Sequence, residues 1–239
     1  VLSMQNTYFP GEHNPGDQTT STKTPSTAPS NLDGIMSSPK LARRSVKDTV
    51  PGGLRSVRHS GPRQLYVVRH GERIDFTFGK DWIHNSFDQS GNYIRYDLNM
   101  PKLLPTRKAG PQEFSKDSPL TVQGHFQARL VGEAMKEKDI PIAHVYSSPS
   151  LRCVETANSI LKGLGVERDI HVEPGLFEWL GWYQSGLPKF MALPELQEWG
   201  FNVVTNYTPI LAPSKFNMQE TTEQYYDRCY QTTKEVLKR

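Results

Sequence analysis

The chain has 239 residues, a net charge of +3 at pH 7 and a hydrophobic fraction of 36%. A run of about 18 apolar residues, which a transmembrane helix requires, is absent from the sequence, and residues 1–30 show no secretory signal pattern. The two cysteines, Cys153 and Cys229, exclude a disulfide scaffold or a cysteine-rich zinc site and fit a reducing compartment. The small net charge gives no indication of nucleic-acid binding.

Residues 1–62 differ in composition from the rest of the chain. Ser, Thr, Pro and Gly supply 29 of these 62 residues, and only 2 of the 24 aromatic residues lie here. A segment with so few large apolar side chains cannot offset the entropy cost of ordering its backbone. We therefore predict a disordered tail over 1–62 and one globular domain over 63–239. An Arg58-His59 motif in the tail is interpreted as linker, because no strand precedes it.

The first half of the predicted domain contains a strand, an irregular insertion and a helix. Residues 65–68 (Leu-Tyr-Val-Val) form a short apolar run, which predicts a buried strand. Residues 71–119 are rich in Gly, Pro, Asn and Asp and predict a long irregular insertion, with a helix near 79–86. Thr121 is typical of a helix N-cap, and we predict a helix from there to about Lys138. Its apolar face is expected to consist of Val122, Phe126, Leu130 and Ala134.

The second half alternates strands and helices. Residues 143–146 and 170–172 are short apolar runs and predict two further strands. The helix between them is predicted to open at Pro149 and stop at Gly165. Its inward residues are expected to be Leu151, Val154, Ala157, Leu161 and Leu164. This alternation predicts an α/β fold, a three-layer sandwich around a mainly parallel sheet. Two more helices are predicted, near 192–199 and from about Thr221.

A histidine between two arginines follows the first predicted strand, in the sequence Arg69-His70-Gly71-Glu72-Arg73. Ligands of parallel sheets bind where strands end, and Gly71 is interpreted as letting the backbone turn toward a ligand. Two guanidiniums can hold phosphoryl oxygens in bidentate fashion. Their charges also disfavour protonation of the imidazole, and a histidine nucleophile must be unprotonated. The alternative is a histidine that caps a strand beside surface arginines.

Charged groups also follow the next two predicted strands. Arg152 lies in the first turn of a helix, where the free amides attract anions. Glu178 lies between Phe177 and Trp179 in a turn, and apolar surroundings suit a carboxylate to hold and donate a proton. Each residue alone also fits an ordinary surface position. Three such groups at successive strand exits predict a single site.

This ordered set of motifs resembles the histidine phosphatase (phosphoglycerate-mutase-like) superfamily, in which Arg-His-Gly carries the nucleophile. The sequence is similar in detail to the phosphatase domain of the suppressor of T-cell receptor signalling (T-cell ubiquitin ligand) proteins. The resemblance extends from about residue 63 to Arg239 and implies a phosphoglycerate-mutase-like α/β fold. The motifs that carry it lie at 69–82, 93–107, 119–128, 147–157 and 173–179.

The resemblance implies hydrolysis of phosphate monoesters, including phosphotyrosine, through a phosphohistidine and without a metal or other cofactor. His70 would be the phosphate-accepting nucleophile, and Glu178 the acid/base group beside the leaving group. Arg69, Arg73 and Arg152 would bind the phosphoryl group. The expected partner is a phosphorylated protein or a small phosphate monoester, with no nucleic acid and no membrane, and a homodimer is left open. We expect a cytoplasmic location, with the nucleus left open.

The sequence departs from the family in one respect. The family has a second pocket histidine after a later apolar strand, and the sequence reaches Arg239 before such a strand. We therefore expect an incomplete pocket and sheet, and interpret the chain as truncated. The other histidines of the domain are not expected to replace the missing one, since they lie in the insertion, on a helix or within predicted strands: His84, His125, His144 and His171.

Three other functions stay open at this point. One is a mutase of the same fold. Another is an impaired enzyme or pseudophosphatase that binds a phosphorylated partner without hydrolysing it, which the missing second histidine suggests. The third is a zinc hydrolase or deaminase, suggested by His70-Gly71-Glu72. A zinc deaminase needs a Cys-x-x-Cys ligand pair, whereas Cys153 and Cys229 are single.

Overall fold

The fold is known from a computed structural model, which describes residues 64–239. The predicted tail over 1–62 and its Arg58-His59 motif lie outside the described residues. Within the described range, no helix is both long and apolar enough to cross a membrane.

A parallel pair of strands lies at the centre of the described domain. Strand β1 (Val145–Ser147) pairs with β2 (Ile170–Val172), and Val145 lies opposite Ile170. Ile170 also forms a parallel bridge to Val203 on its other side. Helix α4 (Leu151–Leu164) connects the two strands. The predicted α/β arrangement with parallel pairing is confirmed, although β1 begins two residues later than expected.

Helix α4 buries the side chains that its sequence pattern predicted to face inward. Each of them is at most 7% exposed. The helix ends at Gly165, whose φ of 74° lies in the left-handed region and whose amide donates to the Leu161 carbonyl oxygen over 2.9 Å. This is the helix stop that glycine favours, because it lacks the Cβ that opposes positive φ. The predicted inward residues are Leu151, Val154, Ala157, Leu161 and Leu164.

Helix α3 (Val122–Glu137) has the predicted extent but not the predicted inward face. The Thr121 hydroxyl accepts the Gly124 amide over 2.9 Å and caps the helix. The predicted apolar face is instead exposed, with Phe126 52% accessible. The residues that face the domain are small: Gly124, Ala128 and Gly132.

Small residues line α3 because its backbone lies directly against α4. A Cβ on Gly132 would lie 2.8 Å from the Leu164 amide nitrogen and overlap the Ile160 carbonyl oxygen. A Cβ on Gly163 of α4 would similarly lie 3.0 Å from the Glu133 amide nitrogen. At this separation no large side chain fits between the helices, so the apolar side chains of α3 point away from the contact.

The strand predicted at 65–68 is not formed. The structure has no regular element there, and Leu65, Tyr66 and Val67 are between 36% and 48% exposed. A strand requires backbone partners on a neighbouring strand, and in the described part of the chain these residues have none. His70 therefore follows an irregular, unpaired segment instead of a buried strand.

The insertion between His70 and α3 is largely irregular, as predicted. It contains two five-residue helices, α1 (Ile74–Phe78) and α2 (Trp82–Ser86), of which α2 falls in the predicted range near 79–86. A short 3-10 helix follows at Pro111–Ser115. Trp82 packs against Phe114 with ring centroids 5.8 Å apart. Both rings belong to the buried cluster that also contains Val145 and Leu151, so the insertion packs on the main core.

Both helices predicted near the end of the sequence are confirmed. Helix α5 runs from Leu193 to Glu198, and helix α6 (Thr222–Val236) begins after the N-cap Thr221. Helix α6 contacts the short 3-10 helix Pro174–Leu176, which follows β2. That contact brings α6 beside the turn that carries Glu178.

Candidate active site

His70 has one imidazole nitrogen bonded and one free. Its Nδ1 lies 2.8 Å from the carbonyl oxygen of Gly71. Because a carbonyl oxygen only accepts, Nδ1 carries the proton and Nε2 keeps its lone pair. The side chain is buried, and Nε2 has no hydrogen-bond partner. This is the tautomer that an imidazole nucleophile requires.

The surroundings of His70 keep the imidazole uncharged. Burial is the largest cause that lowers the pKa of His70, to about 4. The Gly71 carbonyl opposes this change, whereas the charges of Arg152, Arg73 and Arg69 add to it. The predicted effect of the arginines is confirmed in direction, but desolvation contributes more than they do. At pH 7 the ring is neutral.

The backbone after His70 is held between α3 and α4. The Gly71 amide donates to the Thr156 hydroxyl over 3.1 Å, and that hydroxyl donates to the Arg152 carbonyl oxygen over 2.7 Å. A Cβ on Gly71 would lie 2.9 Å from Cα of Gly124. The structure shows a packing role for Gly71: its lack of a side chain lets this segment lie against α3. The interpretation of Gly71 as a turn toward a ligand stays a prediction.

Arg152 and Glu178 form a buried ion pair. Nη2 of Arg152 donates to Oε1 of Glu178 over 2.7 Å, and the two side chains are 1% and 3% exposed. Burial opposes the charge of Arg152, but the Glu178 carboxylate and other neighbours raise its pKa above the usual range. Arg152 is therefore cationic. Its Nε and Nη1 atoms are buried without a partner and are available to an oxyanion.

A cavity of about 360 Å³ opens beside this ion pair. Arg73 lies in its wall, paired with Asp75 at 2.5 Å and with its guanidinium carbon 3.9 Å from the Phe76 ring centroid. Phe76 and Trp182 are 68% and 51% exposed. The cavity lining thus combines charged side chains with accessible aromatic rings. Its lining residues are Arg73, Phe76, Ser115, Lys116, Glu178, Trp182 and Tyr183.

The turn that carries Glu178 is held from helix α6 by Arg228. Nη1 of Arg228 donates to the carbonyl oxygens of Gly175 and Phe177, over 2.9 and 2.7 Å. Nη2 donates to the carbonyl oxygen of Glu178 over 3.2 Å. The Glu220 carboxylate pairs with Nε of the same guanidinium at 2.6 Å. Arg228 therefore fixes the backbone on which the carboxylate is mounted.

Four of the five residues predicted for the site are brought together. His70, Arg152 and Arg73 are buried around one point, and Glu178 is bonded to Arg152. Arg69 is exposed, and its charge contributes to the lowered pKa of His70.

The sequence reading missed Tyr183, Lys116 and Arg228. Tyr183 follows Glu178 within the same turn, and its nearness along the chain is the one signal that could have identified it. Lys116 and Arg228 come from distant segments. Lys116 spans the cavity edge, where Nζ donates to the Gly186 carbonyl oxygen over 2.8 Å.

The carboxylate of Glu72 has structural partners. Its Oε1 accepts the Thr121 hydroxyl over 2.7 Å and the Asn99 amide over 2.8 Å. Cys153 lies in α4 and Cys229 in α6. Over residues 64–239, no group of three or more His, Cys, Asp or Glu side chains could hold a metal ion. Within this range, His70 and Glu72 are not part of such a group.

Comparison with known proteins gives consistent matches. The family model of the histidine phosphatase superfamily (branch 1) matches residues 105–239. The Ecdysteroid-phosphate phosphatase of Drosophila melanogaster is 47% identical over 191 residues, covering 78% of this chain and 25% of that protein. The human Ubiquitin-associated and SH3 domain-containing protein B is 50% identical over 182 residues, covering 74% of this chain and 28% of that protein. The chain thus spans about a quarter of the length of these relatives.

A solved structure agrees with the sequence matches. The ecdysone phosphate phosphatase from Bombyx mori, in complex with tungstate, has a TM-score of 0.65 and 40% identity to this chain. The match covers 71% of this chain and 64% of that one. The predicted phosphoglycerate-mutase-like fold class is therefore confirmed. On the basis of the matched segment, the sequence identities and the position of His70 among arginines, the chain belongs to the histidine phosphatase superfamily.

Proposed function

We propose that this domain hydrolyses phosphate monoesters of the phosphotyrosine type through a phosphohistidine on His70. The observation that carries the proposal is the free, buried Nε2 of a neutral imidazole beside three arginines. A neutral imidazole with an available lone pair is a nucleophile at pH 7. The names of the relatives, which are phosphatases, support the reaction class.

In the first step, Nε2 of His70 forms a bond to phosphorus while the ester P–O bond breaks. The free Nε and Nη1 of Arg152 bind phosphoryl oxygens, assisted by the charges of Arg73 and Arg69. In its protonated form, Glu178 donates a proton to the departing oxygen. In the second step, water gives a proton to Glu178 and attacks phosphorus, which releases phosphate and restores the imidazole.

The aromatic cavity wall supports a substrate that has a ring next to its phosphate. Phe76 and Trp182 are exposed residues that line the cavity, and aromatic side chains bind apolar rings well. Phosphotyrosine has a ring directly on the ester oxygen. The relatives named for ecdysteroid phosphates act on another ring-bearing ester.

The test is detection of a covalent phosphate on His70. The chain is mixed with phenyl phosphate, quenched in base, and mapped by mass spectrometry. We expect phosphate on the His70 peptide, none in His70→Ala, and an unchanged amount in His84→Ala. His84 is a matched control because it is an exposed histidine in α2. Full phosphatase activity in His70→Ala would refute the proposal.

A second candidate function is binding of a phosphorylated partner without its hydrolysis. Within residues 64–239, the groups that shift the pKa of His70 are three arginines and a carbonyl, with no second imidazole among them. Because the family resemblance implies a second histidine in the pocket, this supports binding without hydrolysis. A phosphotyrosine peptide that binds stoichiometrically while free phosphate stays at background would favour this function over catalysis.

A further inference from the structure

The two carboxylate oxygens of Glu178 have different environments. Oε1 accepts hydrogen bonds from Nη2 of Arg152, at 2.7 Å, and from the hydroxyl of Tyr183. Oε2 is buried and has no partner. Both donors therefore converge on one oxygen and leave the other free.

The hydroxyl of Tyr183 is a donor at every physiological pH. Burial raises the pKa of Tyr183, and the nearby charge of Glu178 raises it further. The phenol therefore stays protonated. Because this hydroxyl is the donor, its hydrogen bond requires a lone pair on Oε1.

The ring of Tyr183 is fixed independently of its hydroxyl. It ends the 3-10 helix Leu180–Tyr183 and packs on Phe177, with ring centroids 5.0 Å apart. Phe177 is fully buried. Removing the hydroxyl alone should leave the ring in place.

We propose that Tyr183 is a positioning residue that directs the catalytic proton of Glu178 to Oε2. With Oε1 occupied by two donors, a proton on the carboxyl group can lie only on Oε2. Tyr183 thus selects which oxygen faces the leaving group. This inference rests on the proposed phosphatase function, and it adds a residue to the machinery that donates the proton.

The role of Tyr183 can be measured in the first turnover. The burst of phenol released per chain is followed by rapid quench, using aryl phosphates whose phenols differ in acidity. Proton donation matters most for weakly acidic phenols. In Tyr183→Phe we expect the burst rate with phenyl phosphate to fall about tenfold, within the range of one hydrogen bond. The rate with 4-nitrophenyl phosphate should fall less than about twofold.

Two further variants separate positioning from a structural effect. Tyr207→Phe is the matched control, because it removes a 2.7 Å hydroxyl bond to the buried carboxylate of Glu173, which is not in the cavity wall. It should leave the burst unchanged. In a Glu178→Gln background, which has no carboxyl proton, adding Tyr183→Phe should have no further effect on the burst.

The outcomes distinguish the two proposals. If Tyr183→Phe slows the burst equally for all phenols, or still slows it in the Glu178→Gln background, the role of Tyr183 is overturned. The proposed phosphatase function is not affected by that result. Tungstate affinity, measured by calorimetry, should be the same in Tyr183→Phe as in the unaltered chain, and a loss of binding would show a structural role instead. If His70 of the unaltered chain never accepts phosphate, the proposed function falls and the role of Tyr183 falls with it.

Discussion

Gly71 packs against Gly124 so closely that a Cβ on Gly71 would lie 2.9 Å from Cα of Gly124 and overlap its carbonyl oxygen. The contact is reciprocal, since a Cβ on Gly124 would lie 2.8 Å from the amide nitrogen of Glu72. Two glycines on distant segments thus allow the residues after His70 to lie against helix α3. The depth of the imidazole in the domain depends on this contact.

Gly71→Ala should therefore destabilise the domain by about 3 kcal/mol, because the added methyl group meets backbone that cannot move aside. The measurement is the midpoint and slope of urea unfolding. Gly91→Ala is the control: its methyl group meets nothing within 4 Å, and only its φ of 80° opposes a side chain. That change should cost about 1 kcal/mol. Equal losses in the two variants would contradict the packing argument.

Asp117 supports the first turn of α4 from a fully buried position. Its Oδ1 accepts the Leu151 amide over 2.8 Å, and its Oδ2 pairs with Nη1 of Arg107 at 3.1 Å. Asp117→Asn keeps an oxygen for the amide but removes the nearer of the two carboxylates that pair with the buried Arg107 charge. We expect a loss of about 3 kcal/mol in unfolding free energy. Glu113→Gln removes a contact to Arg107 that is more exposed and, at 3.5 Å, longer. It should lower the unfolding free energy by less than half as much.

Arg228→Lys should disturb both stability and the acid group. A lysine ammonium cannot reach the three carbonyl oxygens and the Glu220 carboxylate that the guanidinium holds together. We expect a loss of about 3 kcal/mol and a slower phenol burst, because the Glu178 backbone loses a donor. The control is Arg129→Lys, whose exposed ion pair with Glu133 should contribute less than about 0.5 kcal/mol. A normal burst in Arg228→Lys would contradict the positioning role.

The stability of the domain should fall as the pH rises from 6.5 to 8. Burial raises the pKa of Glu155 to about 8 from an ordinary value of 4.5. Between these values the folded chain keeps a proton that the unfolded chain has lost, so its stabilising effect is complete below 4.5 and disappears by about 8. The expected loss is about 1.4 kcal/mol per pH unit. Urea unfolding at several pH values measures it.

The same experiment has two internal checks. Burial lowers the pKa of both His70 and His125 to about 4, so they act in the opposite direction, and only below about 6.5. Glu155→Gln should remove the decline above pH 6.5, because its amide oxygen can still accept the Leu120 amide. The side chains of Glu155 and His125 lie 3.9 Å apart, and both are uncharged between about pH 4 and 8. A decline that survives in Glu155→Gln would contradict the assignment.

Local pattern was sufficient for elements whose apolar residues face the core. Helix α4 was predictable in extent, inward face and stop, because its leucines and Gly165 follow the helical period and the usual C-terminal signal. The same reasoning failed for α3, where Phe126 was assigned to the core. Apolar side chains of a helix do not face the core where its backbone touches a neighbouring helix, as happens at Gly132 and Gly163. That contact depends on the partner helix and cannot be read from the sequence of α3 alone.

The site was predictable where its residues follow predicted strands in order, and not where it depends on long-range contacts. His70, Arg152 and Glu178 each carry a local signal. Arg228 resembles any arginine on a polar helix until the fold brings it beside the Glu178 carbonyl oxygen. Residues 65–68 show the opposite case: their composition suits a strand, but a strand also needs a neighbour, which composition does not provide.

The position of Arg228 has a consequence for synthesis of the chain. Translation must continue for 50 residues beyond Glu178 before the guanidinium that holds its carbonyl oxygen has been made. Because a domain folds as a unit, the turn after β2 cannot gain this support until helix α6 has been made. The proton donor of the site therefore depends on a segment that is among the last of this sequence to be synthesised.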